Sequence, residues 1–171
     1  MVDTMKAIVL EEPMKYSLQE VPIPKCPEGG MLIKVIACGL CGSDLRTLKS
    51  GRKNMEYPWT IGHEISATVI ETGKGFKGQW EKGDLIAVAP MVYCGHCEYC
   101  RDGVYELCEN SREIAHQWPG GFAEYVAVPE EAIANGTIQF IPEGLDPVIA
   151  TIAEPASSCV NAQEKASIGL G

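Results

Sequence analysis

Four cysteines close together in the chain constrain its fold more than any other feature. Cys94, Cys97 and Cys100 follow one another at Cys-x-x-Cys spacing, and Cys108 comes after seven further residues. A tight turn lets two sulfur atoms of such a pair contact one ion, and tetrahedral zinc accepts four thiolates at about 2.3 Å. Because protein ligands would fill all four positions, the spacing predicts a closed, structural zinc site. His96 lies inside the loop and is interpreted as a spacer residue.

Disulfides and an iron–sulfur cluster are the alternative uses of these cysteines. The chain has eight cysteines in 171 residues. Its N-terminal segment is acidic, and the apolar run from Ala7 to Leu10 is too short for a signal peptide or a membrane span. We therefore expect a cytoplasmic protein with reduced thiols. A bacterial ferredoxin-type cluster would need its fourth cysteine three residues on and followed by Pro, whereas Glu109 follows Cys108. These features favour zinc.

The charge balance disfavours polyanionic partners. The 14 Lys and Arg residues face 23 Asp and Glu residues, which gives a formal net charge of -9. This is the wrong sign for binding nucleic acid or an anionic membrane through released counterions. We expect neither a nucleic-acid partner nor a membrane partner.

Short β-rich runs separated by Gly and Pro predict a barrel or a sandwich rather than a helical bundle. The predicted strands are Met5 to Leu10, Met31 to Ala37, Ile65 to Glu71, Asp84 to Ala89, Phe122 to Val128 and Thr137 to Ile141.

Helical structure is predicted only near the end of the chain. Asp146 and Pro147 form an N-cap and first-turn pair. Pro155 should push Glu154 out of the helical region, with a second helical piece from about Ala156 toward Ala166. A carboxylate at such a break can be aimed into a cavity.

A second set of metal-binding residue types lies at junctions of strand and loop. Cys41 follows the run Ile33 to Ala37, and the pair His63 and Glu64 opens the run Ile65 to Ile70. Thiolate, imidazole and carboxylate from separate segments suit a zinc site that keeps one coordination position open. However, a lone histidine beside a strand is more often structural, and a lone cysteine is more often a small buried residue. From the residues alone, this second site stays open.

Several motifs in order, covering essentially the whole chain, resemble the medium-chain, zinc-dependent alcohol and polyol dehydrogenases. They are Gly39-Leu40-Cys41-Gly42-Ser43-Asp44, Gly62-His63-Glu64, Gly83-Asp84, the four cysteines, Gly120-Gly121-Phe122-Ala123-Glu124-Tyr125 and Ala153-Glu154-Pro155. Dehydrogenases of the liver and yeast type carry Cys where this chain has Glu154. The glutamate therefore resembles the polyol branch, which includes sorbitol and butanediol dehydrogenases.

The resemblance implies a role for each matching residue. Cys41 and His63 would bind a catalytic zinc, Glu64 would be a direct or exchanging ligand, and Glu154 would be the third protein ligand or would hold a zinc-bound water. Ser43 would take the substrate proton, and Asp44 would orient the His63 ring. A structural zinc would be held by Cys94, Cys97, Cys100 and Cys108. Three further cysteines match no ligand position and are expected to be packing residues: Cys26, Cys38 and Cys159.

The resemblance also implies the architecture. We expect a mainly β, GroES-like, partly open barrel with a zinc lobe and a few short helices over residues 1–154, and the start of a connecting helix toward a Rossmann domain over residues 155–171. The whole enzyme would be a homo-oligomer that transfers hydride between an alcohol or polyol and NAD or NADP. Because the Rossmann domain that would bind the nicotinamide is expected to lie outside the 171 residues, we expect the isolated chain to be inactive. A non-catalytic zinc-stabilised module and an iron–sulfur electron carrier are the alternatives.

One residue departs from the family pattern. Arg46 stands where these dehydrogenases often have a histidine that passes the proton to solvent. Arginine stays protonated and cannot act as a relay base. Arg46 is therefore either a surface residue or a binding group for a phosphate of the cofactor or substrate.

Overall fold

The computed structural model describes residues 3–169, in which β-strands predominate over helices. The strands are β1 Thr4–Glu12, β2 Lys15–Pro22, β3 Met31–Gly39, β4 Glu64–Thr72, β5 Leu85–Val92, β6 Arg112–Glu113, β7 Tyr125–Val128 and β8 Gly136–Phe140. The helices are α1 Gly42–Ser50, α2 Glu98–Arg101, α3 Glu130–Asn135, α4 Pro147–Ala150 and α5 Ala153–Lys165, with a 3-10 turn at Tyr105–Leu107. The predicted mainly β class is confirmed.

The strands form an antiparallel six-stranded sheet and a separate hairpin. The sheet has the order β6-β5-β4-β3-β7, with β8 paired to β5, and it curls into a half-barrel. Strands β1 and β2 form the hairpin. The backbone of β1 bonds to two distant segments, with Ile8 N donating to Phe122 O over 2.8 Å and Leu10 N to Trp59 O over 2.8 Å. These bonds attach the hairpin to the half-barrel.

The inner face of the half-barrel carries the main hydrophobic core. Met31 and Ile33 of β3, Val69 of β4 and Ile86 of β5 are completely buried. Side chains on one face of a strand alternate with those on the other, so apolar residues two apart line one surface. Burial of this surface stabilises the sheet whose ends carry the candidate site residues.

Each of the six predicted strands overlaps a strand of the structure. In the run Phe122 to Val128, however, strand β7 begins only at Tyr125. Strand β2 was not predicted, because its sequence KYSLQEVP is largely polar and most of its residues are exposed. Its strand structure depends on pairing with β1 rather than on an apolar pattern of its own. Helix α1 was also not predicted from the sequence.

The helical prediction near the end of the chain is partly wrong. Asp146 does cap α4, since its Oδ1 accepts a 2.9 Å bond from Val148 N, and Pro147 occupies the first turn. However, the break falls at Thr151 and Ile152, and Glu154 lies inside the first turn of α5. Pro155 is tolerated there because the first N–H groups of a helix have no intrahelical acceptor. None of the helices between residues 3 and 169 is both long and apolar enough to span a membrane.

Candidate metal centres and catalytic cleft

The four-cysteine lobe, residues 94–108, brings its four sulfur atoms together. Cys94 follows β5, Cys97 caps α2, Cys100 lies within α2, and Cys108 ends the 3-10 turn. All four sulfur atoms lie within 4.8 Å of one another, and three of the four cysteines are buried.

The sulfur geometry of the lobe fits a single tetrahedral ion. The Sγ atoms of Cys94 and Cys100 are 3.9 Å apart. This agrees with the separation of roughly 3.8 Å that two sulfur atoms have when each is bonded at about 2.3 Å to one tetrahedral zinc. Backbone N–H groups also donate to sulfur, from Cys94 to Cys108 over 3.2 Å and from Cys97 to Cys94 over 3.4 Å. All eight cysteines are free. The lobe can therefore hold one zinc, and it is too narrow for a cluster of several iron and sulfide ions.

The thiols of the lobe differ in acidity. Backbone hydrogen bonding, chiefly from His96, lowers the pKa of Cys94 to about 6. Burial raises the pKa of Cys100 to about 12. A metal that binds all four must displace protons, so binding and proton release are coupled. The His96 side chain is outside the sulfur cluster, with Nδ1 2.8 Å from the Cys94 carbonyl oxygen, in keeping with its interpretation as a spacer.

The β3–β4 ladder assembles the second set of ligand types. Gly39, at the end of β3, pairs directly with Glu64, at the start of β4. Cys41 comes two residues after Gly39 and caps α1, while His63 immediately precedes Glu64. The ligand atoms of Cys41, His63 and Glu64 all lie within 4.8 Å of one another. This trio can hold a zinc, and it shares no residue with the four-cysteine lobe.

Asp44 connects two members of the trio. Its side chain is 3% exposed, its Oδ1 lies 3.2 Å from His63 Nδ1, and its Oδ2 accepts a 2.9 Å bond from Cys41 N. The Asp44 hydrogen bond is the main reason that the pKa of His63 is raised to about 9. With Nδ1 engaged by Asp44, the Nε2 atom of His63 is the one left for a metal.

Ser43 lies beside the thiol of the trio. A hydrogen bond from its side chain is the largest cause of the lowered pKa of Cys41, and His63 adds to that effect. A lowered pKa favours the thiolate, which is the form that binds metal.

Glu154 faces the trio without joining it. Among the described residues, the group within 4.8 Å consists of Cys41, His63 and Glu64 only. Glu154 instead lines the same cavity as His63 and Ser43, a cleft of about 770 Å³. Burial, with the nearby charges of Glu64 and Asp44, raises the pKa of Glu154, and His63 opposes this. The structure thus brings Ser43, Asp44, His63 and Glu154 to one cavity. Of the two carboxylates, that of Glu64 lies in the ligand group with Cys41 and His63, and that of Glu154 lies outside it.

The cleft is lined by polar residues that the sequence did not indicate. Thr47 lies one turn after Ser43 on α1, so the two residues share one face of the helix. A sequence signal for this helix would have placed Thr47 beside Ser43. The others come from β6, β8, α5, the 3-10 turn and the loop after α1, so only the fold brings them together; they are Arg52, Glu106, Glu113, Thr137, Gln139, Ser157, Ser158 and Asn161.

The three remaining cysteines lie outside both ligand groups. Cys38 packs against the core, and burial raises its pKa to about 12. Cys26 is partly buried, with Sγ 3.6 Å from Glu71 O. Cys159 is exposed on α5. The expectation that it is a packing residue is therefore wrong within residues 3–169.

Comparison with known proteins identifies one family. Residues 27–138 match the alcohol dehydrogenase GroES-like domain. The chain is 34% identical over 165 residues to L-threonine 3-dehydrogenase of Pyrococcus abyssi, a match that covers 94% of this chain and 46% of that protein. It is 32% identical over 171 residues to sorbitol dehydrogenase of Bacillus subtilis, covering 98% of this chain and 47% of that protein.

A solved structure gives the same picture at the level of the fold. The crystal structure of galactitol-1-phosphate dehydrogenase from Escherichia coli superimposes with a TM-score of 0.85 at 29% identity. The match covers 95% of this chain and 45% of that one. The chain spans about half the length of the curated relatives that it matches.

Proposed function

Because the chain belongs to the family of alcohol dehydrogenase GroES-like domains, we propose that it is the catalytic domain of a zinc-dependent dehydrogenase. The reaction would transfer a hydride between a polyol or secondary alcohol and NAD or NADP. Names of relatives such as sorbitol dehydrogenase support a polyol substrate. The domain would span residues 1–154, and residues 155–171 would begin the helix that leads to a nicotinamide-binding domain.

One observation carries this proposal. His63 of the trio lines the same 770 Å³ cleft as Ser43 and Glu154, and the ligand atoms of Cys41 and Glu64 lie within 4.8 Å of that of His63. The four-cysteine lobe, by contrast, offers four ligands to one ion and leaves no position for a substrate. A closed set and an open set in one chain are what a structural ion and a reactive ion respectively require.

The residues of the cleft divide the work of alcohol oxidation. Zinc bound by the trio would supply a Lewis acid that lowers the pKa of an alcohol, and the nicotinamide would accept the hydride. Ser43 Oγ would take the hydroxyl proton of the substrate. Asp44 would hold the His63 ring with Nδ1 protonated and Nε2 directed at the metal.

Charge determines how the two glutamates share the site. One thiolate and one carboxylate already cancel two positive charges, and a second bound carboxylate would make the site anionic and weaken it as a Lewis acid. We therefore propose that Glu64 and Glu154 are not bound tightly at the same time. Support comes from the structure, where Glu64 is within the ligand group and Glu154 has a raised pKa outside it.

The cellular setting follows from the thiols. The five cysteines of the two proposed sites can bind metal only while their thiols are reduced and unmodified, which favours a cytoplasmic enzyme. By family resemblance, the whole enzyme would be a homo-oligomer.

A chimera tests the function directly. This chain would replace the corresponding half of the sorbitol dehydrogenase of Bacillus subtilis, and oxidation of polyols would be followed by the absorbance of reduced nicotinamide. We expect turnover that His63→Ala abolishes and Cys26→Ala leaves intact, since Cys26 lies outside both ligand groups. A folded, zinc-replete chimera without turnover, or one whose turnover survives His63→Ala, would refute the proposal.

A further inference from the structure

Arg46 is the charged residue of the cleft whose role the proposed function leaves open. It lies on α1, three residues after Ser43, and it lines the cleft together with Ser43, His63 and Glu154. Residues three apart on a helix share one face, with about 5–6 Å between their Cβ atoms. The guanidinium is therefore within reach of whatever Ser43 contacts.

Three acidic groups of the cleft already have a partner. Asp44 bonds to His63, Glu113 accepts a 2.7 Å ion pair from Arg52, and Glu106 pairs with Lys165 over 3.3 Å. Within residues 3–169, Arg46 takes part in no ion pair. The cleft thus keeps one uncompensated cation near its reactive residues.

We propose that Arg46 is a specificity residue that binds an oxyanion of the substrate, a phosphate or a carboxylate, so that the substrate is an anionic polyol derivative rather than a neutral polyol. This inference rests on the proposed function and names its substrate class. A guanidinium is planar, always charged, and binds phosphate and carboxylate through two parallel hydrogen bonds. It cannot serve as a proton relay, so binding is the role that its chemistry leaves.

The phosphates of a dinucleotide are a second source of the same chemistry. The test therefore uses three probes on the zinc-loaded chain: sorbitol 6-phosphate, sorbitol and ADP-ribose. Binding would be followed by NMR titration of the arginine side-chain Nε–H signals, a measurement that requires no turnover.

We expect sorbitol 6-phosphate to shift the Arg46 signal and to bind at least roughly ten-fold more tightly than sorbitol, which corresponds to about 1.4 kcal/mol. Arg46→Gln should remove this advantage, and Arg46→Lys should keep part of it. The matched control is Lys49→Gln, on the same helix but outside the cleft, which changes the net charge equally and should leave the advantage unchanged.

Three results would overturn the inference. They are equal affinity for the two sorbitol probes, an advantage that persists in Arg46→Gln, and a shift of the Arg46 signal by ADP-ribose but not by sorbitol 6-phosphate. Failure of the proposed function looks different, since it would appear as inactivity of the chimera and not as a loss of discrimination between phosphate ester and alcohol.

Discussion

Asp44 Oδ1 lies 3.2 Å from His63 Nδ1, and both side chains are largely removed from solvent. The other oxygen of the same carboxylate accepts the backbone N–H of Cys41 over 2.9 Å. A single buried acid therefore determines the position of two proposed ligands, one through its ring and the other through its backbone.

Asp44→Asn should weaken zinc binding by the trio by about 10- to 100-fold, because partners of metal-ligating histidines orient the ring and raise its basicity. Competition with a chelator would measure the affinity. Asp3→Asn, at an exposed position, serves as the control. Unchanged affinity in Asp44→Asn would mean that Asp44 supports only the start of α1.

His63→Ala should reduce the zinc content from two ions per chain to one while the fold stays intact, because an open site contributes less to stability than a closed one. Elemental analysis combined with circular dichroism checks both parts of the statement. Loss of both ions, or global unfolding, would contradict the assignment of separate catalytic and structural sites.

Cys100→Ser should destabilise the chain severely, by about 4 kcal/mol or more, because the binding energy of a closed site is also folding energy. Thermal or denaturant unfolding would measure the change. Cys26→Ser provides the comparison, as its thiol lies outside both ligand groups. A Cys100→Ser chain with the unfolding midpoint of the parent would show that the lobe is not structural.

Gly39→Ala should disturb the trio, because a Cβ at this position would collide with the Glu64 carboxylate. We expect a cost of about 1–3 kcal/mol, as for other overpacked sites, together with weaker zinc binding. Gly42→Ala is the matched control, since a Cβ there meets nothing within 4 Å and alanine favours the helix. Equal behaviour of the two variants would show that Glu64 moves without consequence.

Glu131 provides a small acid-dependent contribution to stability. Hydrogen bonding by its own backbone N–H at the start of α3, followed by Arg112, lowers its pKa. Because the carboxyl has a lower pKa in the folded state than in the unfolded state, its ionisation stabilises the fold at any pH above the unfolded-state pKa. This contribution is lost as the pH falls through the folded-state pKa. Glu131→Gln should therefore flatten the acid limb of the stability profile, by less than about 1 kcal/mol because the pair is half exposed. An acid limb identical to that of the parent chain would contradict this assignment.

Local patterns made the four-cysteine lobe and most strands predictable. The lobe is encoded in 15 consecutive residues, and the buried strands repeat apolar residues with the period of a sheet. Strand β2 lacks that pattern, so its pairing with β1 could not be foreseen. The conformational restriction that proline imposes on the preceding residue predicts a helix break at Glu154. Pro155 lies in the first turn of α5, where its missing N–H costs no hydrogen bond, so the helix includes Glu154.

The open site could be predicted only in part, for a different reason. Cys41, His63 and Glu154 are each ambiguous alone. The β3–β4 register groups Cys41 with His63 and Glu64, and the position of α5 brings Glu154 to the cleft that His63 lines. The resemblance to a family indicated the residues, but not that Glu64 would lie in the ligand group with Glu154 outside it. Nor did it place the uncompensated guanidinium of Arg46 beside them.

The two proposed sites also differ in the sequence separation of their ligands. The lobe closes within residues 94–108, so its loop-closure entropy is small and it can load its ion before distant strands have met. The trio becomes a site only after β3 and β4 are in register. The topology therefore makes the lobe a local site and the trio a non-local one, whose geometry depends on the pairing of two strands that lie more than 20 residues apart in the chain.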